Sequence, residues 1–163
     1  MPTVVCSIET VCGVERAFEE THDYRKRVQW DRFIRRYEVL GEGAIERGTR
    51  VWVRAWNGLA MTVEYEAVKE PGVVGLVAMQ MVDGPWFLRK FTGSWRFEAA
   101  GDGGAEVCRV TFRYGFVARW GWMTWPVGVV LRWEMGRRIE ALRRHLDGVG
   151  HRSGHVPPGR AGG

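Results

Sequence analysis

The chain has 163 residues, of which 45% are hydrophobic and 26% are charged, so it fits one globular domain with a single core. Its formal charge of +5 comes without a basic run interleaved with aromatic residues, which argues against nucleic-acid binding. No apolar run reaches the roughly 18 residues that a helical membrane span requires.

The first third of the chain predicts a strand, two short helices and a second strand. Apolar and polar residues alternate over 4–9, as in a half-buried strand. Residues 13–22 place apolar side chains on one helical face, and 24–30 predict a second short helix. Residues 33–40 suit a strand less well, because Arg35 is followed by a second arginine.

Residues 50–119 predict five antiparallel strands joined by turns. Asn57 and Gly58 form a two-residue hairpin signal, because both residue types tolerate positive φ. In the last of these strands Cys108, Val110 and Phe112 alternate with polar residues. The strands are predicted at 50–56, 59–69, 73–82, 86–98 and 106–119.

A long amphipathic helix is predicted from Trp120 to Leu146. At 100° per residue its apolar side chains share one face. Its first half is apolar all round, with Trp122 and Trp133 opposite that face, so it must also cover a cavity, a partner subunit or a membrane surface. The shared face carries Val127, Leu131, Met135, Ile139, Leu142 and Leu146.

The predicted fold class is therefore α+β. A curved antiparallel sheet of about six to seven strands wraps around the long C-terminal helix, with two short helices after the first strand. The folded domain is predicted at residues 1–147. Residues 148–163 carry too little apolar area to offset the entropy of ordering, and they are predicted to form a disordered tail.

The cysteines give no sign of a metal site or a disulfide framework. Cys6, Cys12 and Cys108 are odd in number and lack CxxC spacing, which indicates buried reduced thiols and a cytoplasmic protein. No HExxH, P-loop or GxGxxG motif occurs. We predict no metal and no cofactor.

Short motifs in this element order resemble the START-like helix-grip (SRPBCC) superfamily. They are Gly13-Val14-Glu15-Arg16-Ala17-Phe18, Asp23, Arg27-Val28-Gln29-Trp30-Asp31 and Thr92-Gly93-Ser94-Trp95-Arg96-Phe97. The superfamily includes polyketide cyclase/dehydrase and lipid-transport proteins, Bet v 1-like allergens and coenzyme Q-binding proteins. The resemblance, over residues 3 to 146, implies a hydrophobic cavity between sheet and helix for a lipid, polyketide, quinone or similar apolar ligand.

Inward strand positions and the helix supply the candidate ligand-binding residues, with core packing as the alternative for each. Arg54 and Arg89 are the candidate charged groups, because an inward arginine could bind a ligand carboxylate. The apolar and aromatic candidates are Tyr65, Met79, Met81, Phe91, Trp95, Phe97, Phe112, Tyr114, Trp125 and Val129.

Three functions follow from this sequence. The first is binding of a small hydrophobic ligand. The second is a polyketide cyclase, aromatase or dehydratase that uses the same cavity, although no nucleophile–base pair is visible. The third is a membrane- or partner-binding module, which would use the Trp-rich helix start for peripheral membrane contact or for a homodimer.

Overall fold

The computed structural model describes residues 1–72, 74–101 and 106–153. The strands are β1 (Thr3–Thr10), β2 (Ile34–Leu40), β3 (Arg50–Ala55), β4 (Ala60–Lys69), β5 (Val74–Asp83), β6 (Leu88–Ala99) and β7 (Cys108–Ala118). The helices are α1 (Val14–His22), α2 (Tyr24–Trp30) and α3 (Thr124–Ser153), and a 3-10 turn (Gly121–Met123) precedes α3.

The strands form one seven-stranded antiparallel sheet in the order β1-β7-β6-β5-β4-β3-β2. The two short helices follow β1, and the long helix ends the described chain, so the predicted α+β helix-grip fold is confirmed. A hairpin forms at the predicted place, but its turn is longer than the predicted two residues, since β3 ends at Ala55 and β4 begins at Ala60, and Asn57 does not take positive φ. Gly58 takes φ of 86°, while the Asn57 side chain accepts a hydrogen bond from the backbone of Leu59 at 3.1 Å.

The core lies between one face of the sheet and α3. Cys108, Val110 and Phe112 of β7 are buried, as their alternation predicted. On α3 the predicted face is buried at Val127, Met135, Ile139, Leu142 and Leu146, and Leu131 is half-buried. Pro126 does not interrupt the helix, because it lies in the first turn, where N–H groups have no partner within the helix.

The long helix continues beyond residue 147, where the sequence predicted a disordered tail, and residues 148–153 are helical. The physical reason is contact with the end of β1. Asp147 accepts hydrogen bonds from Thr10 Oγ1 at 2.7 Å and from the backbone N–H of Val11 at 3.1 Å. One turn on, Gly150 lies so close that an added Cβ would sit 1.7 Å from the Val11 carbonyl oxygen. Residues 154–163 of the predicted tail, like Val73 at the start of a predicted strand, lie outside the described residues.

Candidate ligand cavity

A cavity of about 370 Å³ lies between the first half of α3, helix α2 and the inner face of strands β2 to β7. Its volume is within the range of about 300–1,000 Å³ that is typical of small-molecule sites. Most of its wall is apolar. The apolar lining includes Phe33, Ile34, Val53, Ala55, Met61, Val63, Met79, Leu88, Phe91, Phe112, Met123, Val127, Leu131 and Met135.

The charged groups of the wall come from α2 and α3. Arg27 of α2 and Arg138 of α3 both line the cavity, and both bind the carboxylate of Asp31, which follows α2. The Arg27 Nε donates to Asp31 Oδ2 at 3.1 Å, and Arg138 donates from Nε to Oδ1 at 3.1 Å and from Nη2 to Oδ2 at 2.6 Å. This cluster connects the two helices at the charged end of the cavity.

Burial sets the electrostatics of Asp31, which has no exposed surface. Burial by itself would raise the pKa of this carboxyl, but the charges and hydrogen bonds of Arg138 and Arg27 outweigh it and hold the pKa below its ordinary value. Asp31 therefore stays ionised, and it holds two guanidinium groups in fixed positions.

Aromatic rings surround Arg27 as well. Its guanidinium carbon lies 5.5 Å from the ring centres of both Tyr24 and Trp95, which is within cation–π range. The Tyr24 hydroxyl accepts a hydrogen bond from Tyr65 at 3.1 Å, and burial raises the pKa of Tyr65 well above its usual value. The Tyr65 hydroxyl therefore stays neutral at ordinary pH.

Glu134 is a further acid in the cavity wall. It is 9% exposed, and it lies one helical turn before Arg138. Within the part of the chain that the structure describes, no basic side chain forms an ion pair with Glu134. The cavity therefore presents a carboxylate and a guanidinium in an otherwise apolar space.

Three of the predicted ligand-binding residues line this cavity: Met79, Phe91 and Phe112. Their contact with a ligand stays a prediction. Five others are buried or half-buried in the core and are not part of the cavity wall, as the core-packing alternative describes. These are Tyr65, Met81, Trp95, Phe97 and Tyr114.

The two predicted arginines lie outside the cavity. Arg54 is exposed because Val51 and Ala55 occupy the inner face of β3, and residues an odd number of positions away point outward. Arg89 was predicted to share an inward strand face with Phe91. The pairing register shifts between Leu88 and Lys90, so the two side chains lie on different faces. This bulge leaves Arg89 exposed.

The two predicted helix positions also lie outside the wall. Trp125 is 78% exposed and Val129 is 50% exposed. They are four residues apart, so they share a helical face, and that face is turned away from the buried face of Val127 and Met135.

The sequence interpretation missed Arg27, Arg138 and Glu134 as cavity residues. A signal was present, because Arg27 and Asp31 are four residues apart in a segment that also holds Tyr24 and Trp30, which is the spacing of a helical ion pair beside aromatic residues. Nothing in the sequence indicated that Arg138 would reach the same carboxylate across 107 positions of chain.

Six exposed tryptophans belong to the cavity wall or lie near its residues in sequence or in space, and we call them the Trp rim. Trp56 and Trp133 belong to the cavity wall itself, and Trp86 contacts Trp120 with ring centres 5.6 Å apart. The remaining two are next in sequence to the wall residues Met123 and Pro126. The Trp rim consists of Trp56, Trp86, Trp120, Trp122, Trp125 and Trp133.

A separate groove of about 750 Å³ lies on the other side of Tyr24, between α1 and the segment that joins β2 to β3. Its wall carries Glu15, Glu19 and Glu70 and is more polar than that of the cavity. His22 lies in it with its ring against Phe18, and burial lowers the pKa of His22. The more apolar wall of the cavity makes it the better site for a hydrophobic ligand.

Comparison with known proteins agrees with this geometry. The family model described as polyketide cyclase/dehydrase and lipid transport matches residues 1–147. The chain belongs to that family. No curated protein matches the sequence.

Solved structures share the fold of this family member. The Zhui aromatase/cyclase from Streptomyces is 15% identical, with a TM-score of 0.74, over 95% of this chain and 99% of that chain. The major latex-like protein from Panax ginseng is 14% identical, with a TM-score of 0.69, over 89% and 97% of the two chains. At these identities the likeness shows the fold alone.

Proposed function

We propose that the protein binds a small apolar ligand in the cavity between the sheet and α3. The supporting observation is a cavity of about 370 Å³ with a mostly apolar wall and a few charged groups at one end. Transfer of an apolar ligand from water into such a wall is favourable by about 25 cal/mol per Å² of buried area. Family membership supports the same class of function.

Native mass spectrometry of the freshly purified protein tests this proposal through a co-purified small molecule. The informative variant is Ala55→Leu, which fills part of the cavity, because Ala55 is buried and belongs to its wall. Its control is Ala17→Leu, which overpacks the solid core outside the cavity wall at a cost of about 1–3 kcal/mol of stability and so reports the effect of overpacking alone. We expect Ala55→Leu to lose the ligand and stay folded. Retention of the ligand by Ala55→Leu would contradict the proposal.

A second candidate is an enzyme of the polyketide cyclase or aromatase type. It is favoured by Glu134 and Arg27, which belong to the wall of one apolar cavity. A carboxylate there could remove a proton next to a carbonyl group while the guanidinium polarises that carbonyl. A poly-β-ketone thioester mimic, followed by ultraviolet absorbance, tests this candidate. Turnover by the protein that falls at least about 100-fold in Glu134→Gln supports it, and absence of turnover refutes it.

A third candidate is peripheral binding of an anionic membrane surface through the Trp rim. Tryptophan suits the membrane interface, and residues 107–133 contain four arginines and no acidic residue. Arg119 and Arg137 lie over the rings of Trp120 and Trp133, at 5.9 Å and 4.6 Å. None of the described helices has the length and hydropathy that crossing a bilayer requires.

Co-sedimentation with vesicles tests membrane binding, with phosphatidylcholine alone and with added phosphatidylglycerol. The variant is Trp122→Ala with Trp125→Ala, since both side chains are more than 70% exposed and lie outside the cavity wall. The control is Val5→Ala on β1, which is also exposed. Loss of binding only in the tryptophan variant supports this candidate. A homodimer in solution that the same variant dissociates would show that a second copy covers the rim instead.

A further inference from the structure

The terminal nitrogens of Arg27 are without a partner. Its Nε donates to Asp31, and no described residue accepts a hydrogen bond from Nη1 or Nη2. The side chain is nevertheless only 5% exposed and belongs to the cavity wall. Among the described residues the sealed polar side-chain atoms without a partner are on Trp95 and Tyr114, so the terminal nitrogens of Arg27 remain accessible from the cavity.

Asp31 cannot satisfy these nitrogens, because its oxygens are already occupied. Oδ1 accepts from Arg138 and from the backbone N–H of Phe33 at 3.3 Å, and Oδ2 accepts from both guanidinium groups. Two positive side chains therefore share one negative side chain. Glu134 also belongs to the wall but forms no ion pair with either arginine in the described chain, so the terminal nitrogens of Arg27 remain available to such an anion as a ligand carboxylate.

The surroundings of Arg27 determine where such an anion would bind. The ring centres of Tyr24, Trp95 and Trp30 lie 5.5, 5.5 and 6.0 Å from its guanidinium carbon. Because Nε is bound to Asp31, the terminal nitrogens are the part that remains for hydrogen bonding. A guanidinium edge matches the two oxygens of a carboxylate in a bidentate pair. Because the rest of the wall is mostly apolar, the molecule that carries this group must be apolar itself.

We propose that the ligand is an apolar acid whose carboxylate binds the terminal nitrogens of Arg27. Its hydrocarbon or ring body lies between α3 and the sheet, where Phe91 and Phe112 belong to the wall. This inference rests on the proposed ligand-binding function and narrows it to one chemical class. Arg138 acts through Asp31 and keeps Arg27 oriented, since its own nitrogens are spent on Asp31 and on Met135 Sδ.

Glu134 bears on the same ligand, because its carboxylate belongs to the wall and lacks an ion pair with Arg27 or Arg138 in the described chain. A negative ligand group is repelled by this carboxylate and attracted by Arg27. Removal of the negative charge by Glu134→Gln should therefore strengthen binding of an acid. It should change the affinity for an alcohol of the same length by much less.

Calorimetry with matched probes tests the inference: dodecanoic acid against 1-dodecanol, and 2-naphthoic acid against 2-naphthol. The acid of at least one pair should bind the unaltered protein roughly 10- to 100-fold more tightly than its neutral partner, since hydrogen bonds to charged groups are strong. The pair that binds distinguishes a chain-shaped body from a ring-shaped one. Binding of neither acids nor alcohols would refute the proposed function itself. Equal or tighter binding of the neutral partner would overturn the acid proposal alone.

Variants then assign the preference to Arg27. Arg27→Met should abolish the preference for the acid and retain binding of the alcohol, which also reports that the variant is folded. Arg27→Lys should keep part of the preference, because it preserves the charge without the bidentate edge. An undiminished preference in Arg27→Met would overturn the assignment. If Arg27→Met does not fold, Glu134→Gln decides: a rise in acid affinity supports the inference, and an unchanged affinity contradicts it.

Discussion

Replacement of Asp31 by alanine removes the group that connects α2 to α3. Asp31 has no exposed surface, and its carboxylate accepts hydrogen bonds from Arg27 and Arg138. Without it, two guanidinium groups are left in a low-dielectric site with no ion-pair partner among the described residues. Loss of one partner from a buried ion pair costs about 3–5 kcal/mol. That is a large part of a total stability of about 5–15 kcal/mol.

The expected loss is measurable by thermal and urea unfolding. For a chain of this length, 1 kcal/mol corresponds to about 2–4 °C in Tm, so Asp31→Ala should lower Tm by roughly 6–20 °C. The triple variant Arg27→Met, Asp31→Ala and Arg138→Met removes all three charges together. We expect it to recover much of the lost stability, because apolar replacements of a buried ionic cluster are often neutral.

The control is Glu9→Ala, which breaks the ion pair between Glu9 and Arg109 on the exposed face of β1 and β7. Both side chains are more than half exposed, so the free energy of unfolding should change little. A loss below about 1 kcal/mol in Asp31→Ala would refute the role of burial. So would a triple variant that is as unstable as Asp31→Ala.

Three further results follow from the structure. Gly150→Ala should destabilise the protein, because its Cβ would sit 1.7 Å from the Val11 carbonyl oxygen, whereas Gly148→Ala, with open space, should stabilise it by up to about 1 kcal/mol. The difference in free energy of unfolding between the wild type and Asp31→Asn should have its full size above a pH of about 4, the ordinary pKa of aspartate. It should shrink as the pH falls through the depressed pKa of Asp31, and a difference that stays constant in urea unfolding would contradict this. Arg54→Met should leave ligand affinity unchanged in calorimetry, since Arg54 is exposed on the outer face of β3, and a loss of affinity would place it in the site.

Local patterns were sufficient to predict the fold. The alternation of Val110 and Phe112 defined the inner face of β7, and the helical spacing of Met135, Ile139 and Leu142 defined the buried face of α3. These patterns work because each reports which side of an element meets the core, and the core is one continuous apolar region.

The cavity was harder to predict, because its wall depends on details that do not repeat along the chain. A one-residue bulge places Arg89 outside while Phe91 remains inside, and a period-two pattern has no means of locating such a bulge. Arg27 lies in a helix of seven residues, where one turn of polar sequence does not reveal which side is buried. The contact of Gly150 with Val11 joins distant parts of the chain, so composition alone predicted disorder there.

Methyl NMR of the methionines tests the central claim most directly. Met61, Met79, Met123 and Met135 belong to the cavity wall, whereas Met1 packs near Gly115 outside it. Addition of a bound apolar ligand should shift the methyl signals of the four wall methionines and leave that of Met1 in place. A ligand that binds without moving those four signals would show that it occupies another surface, and the assignment of the cavity would be wrong.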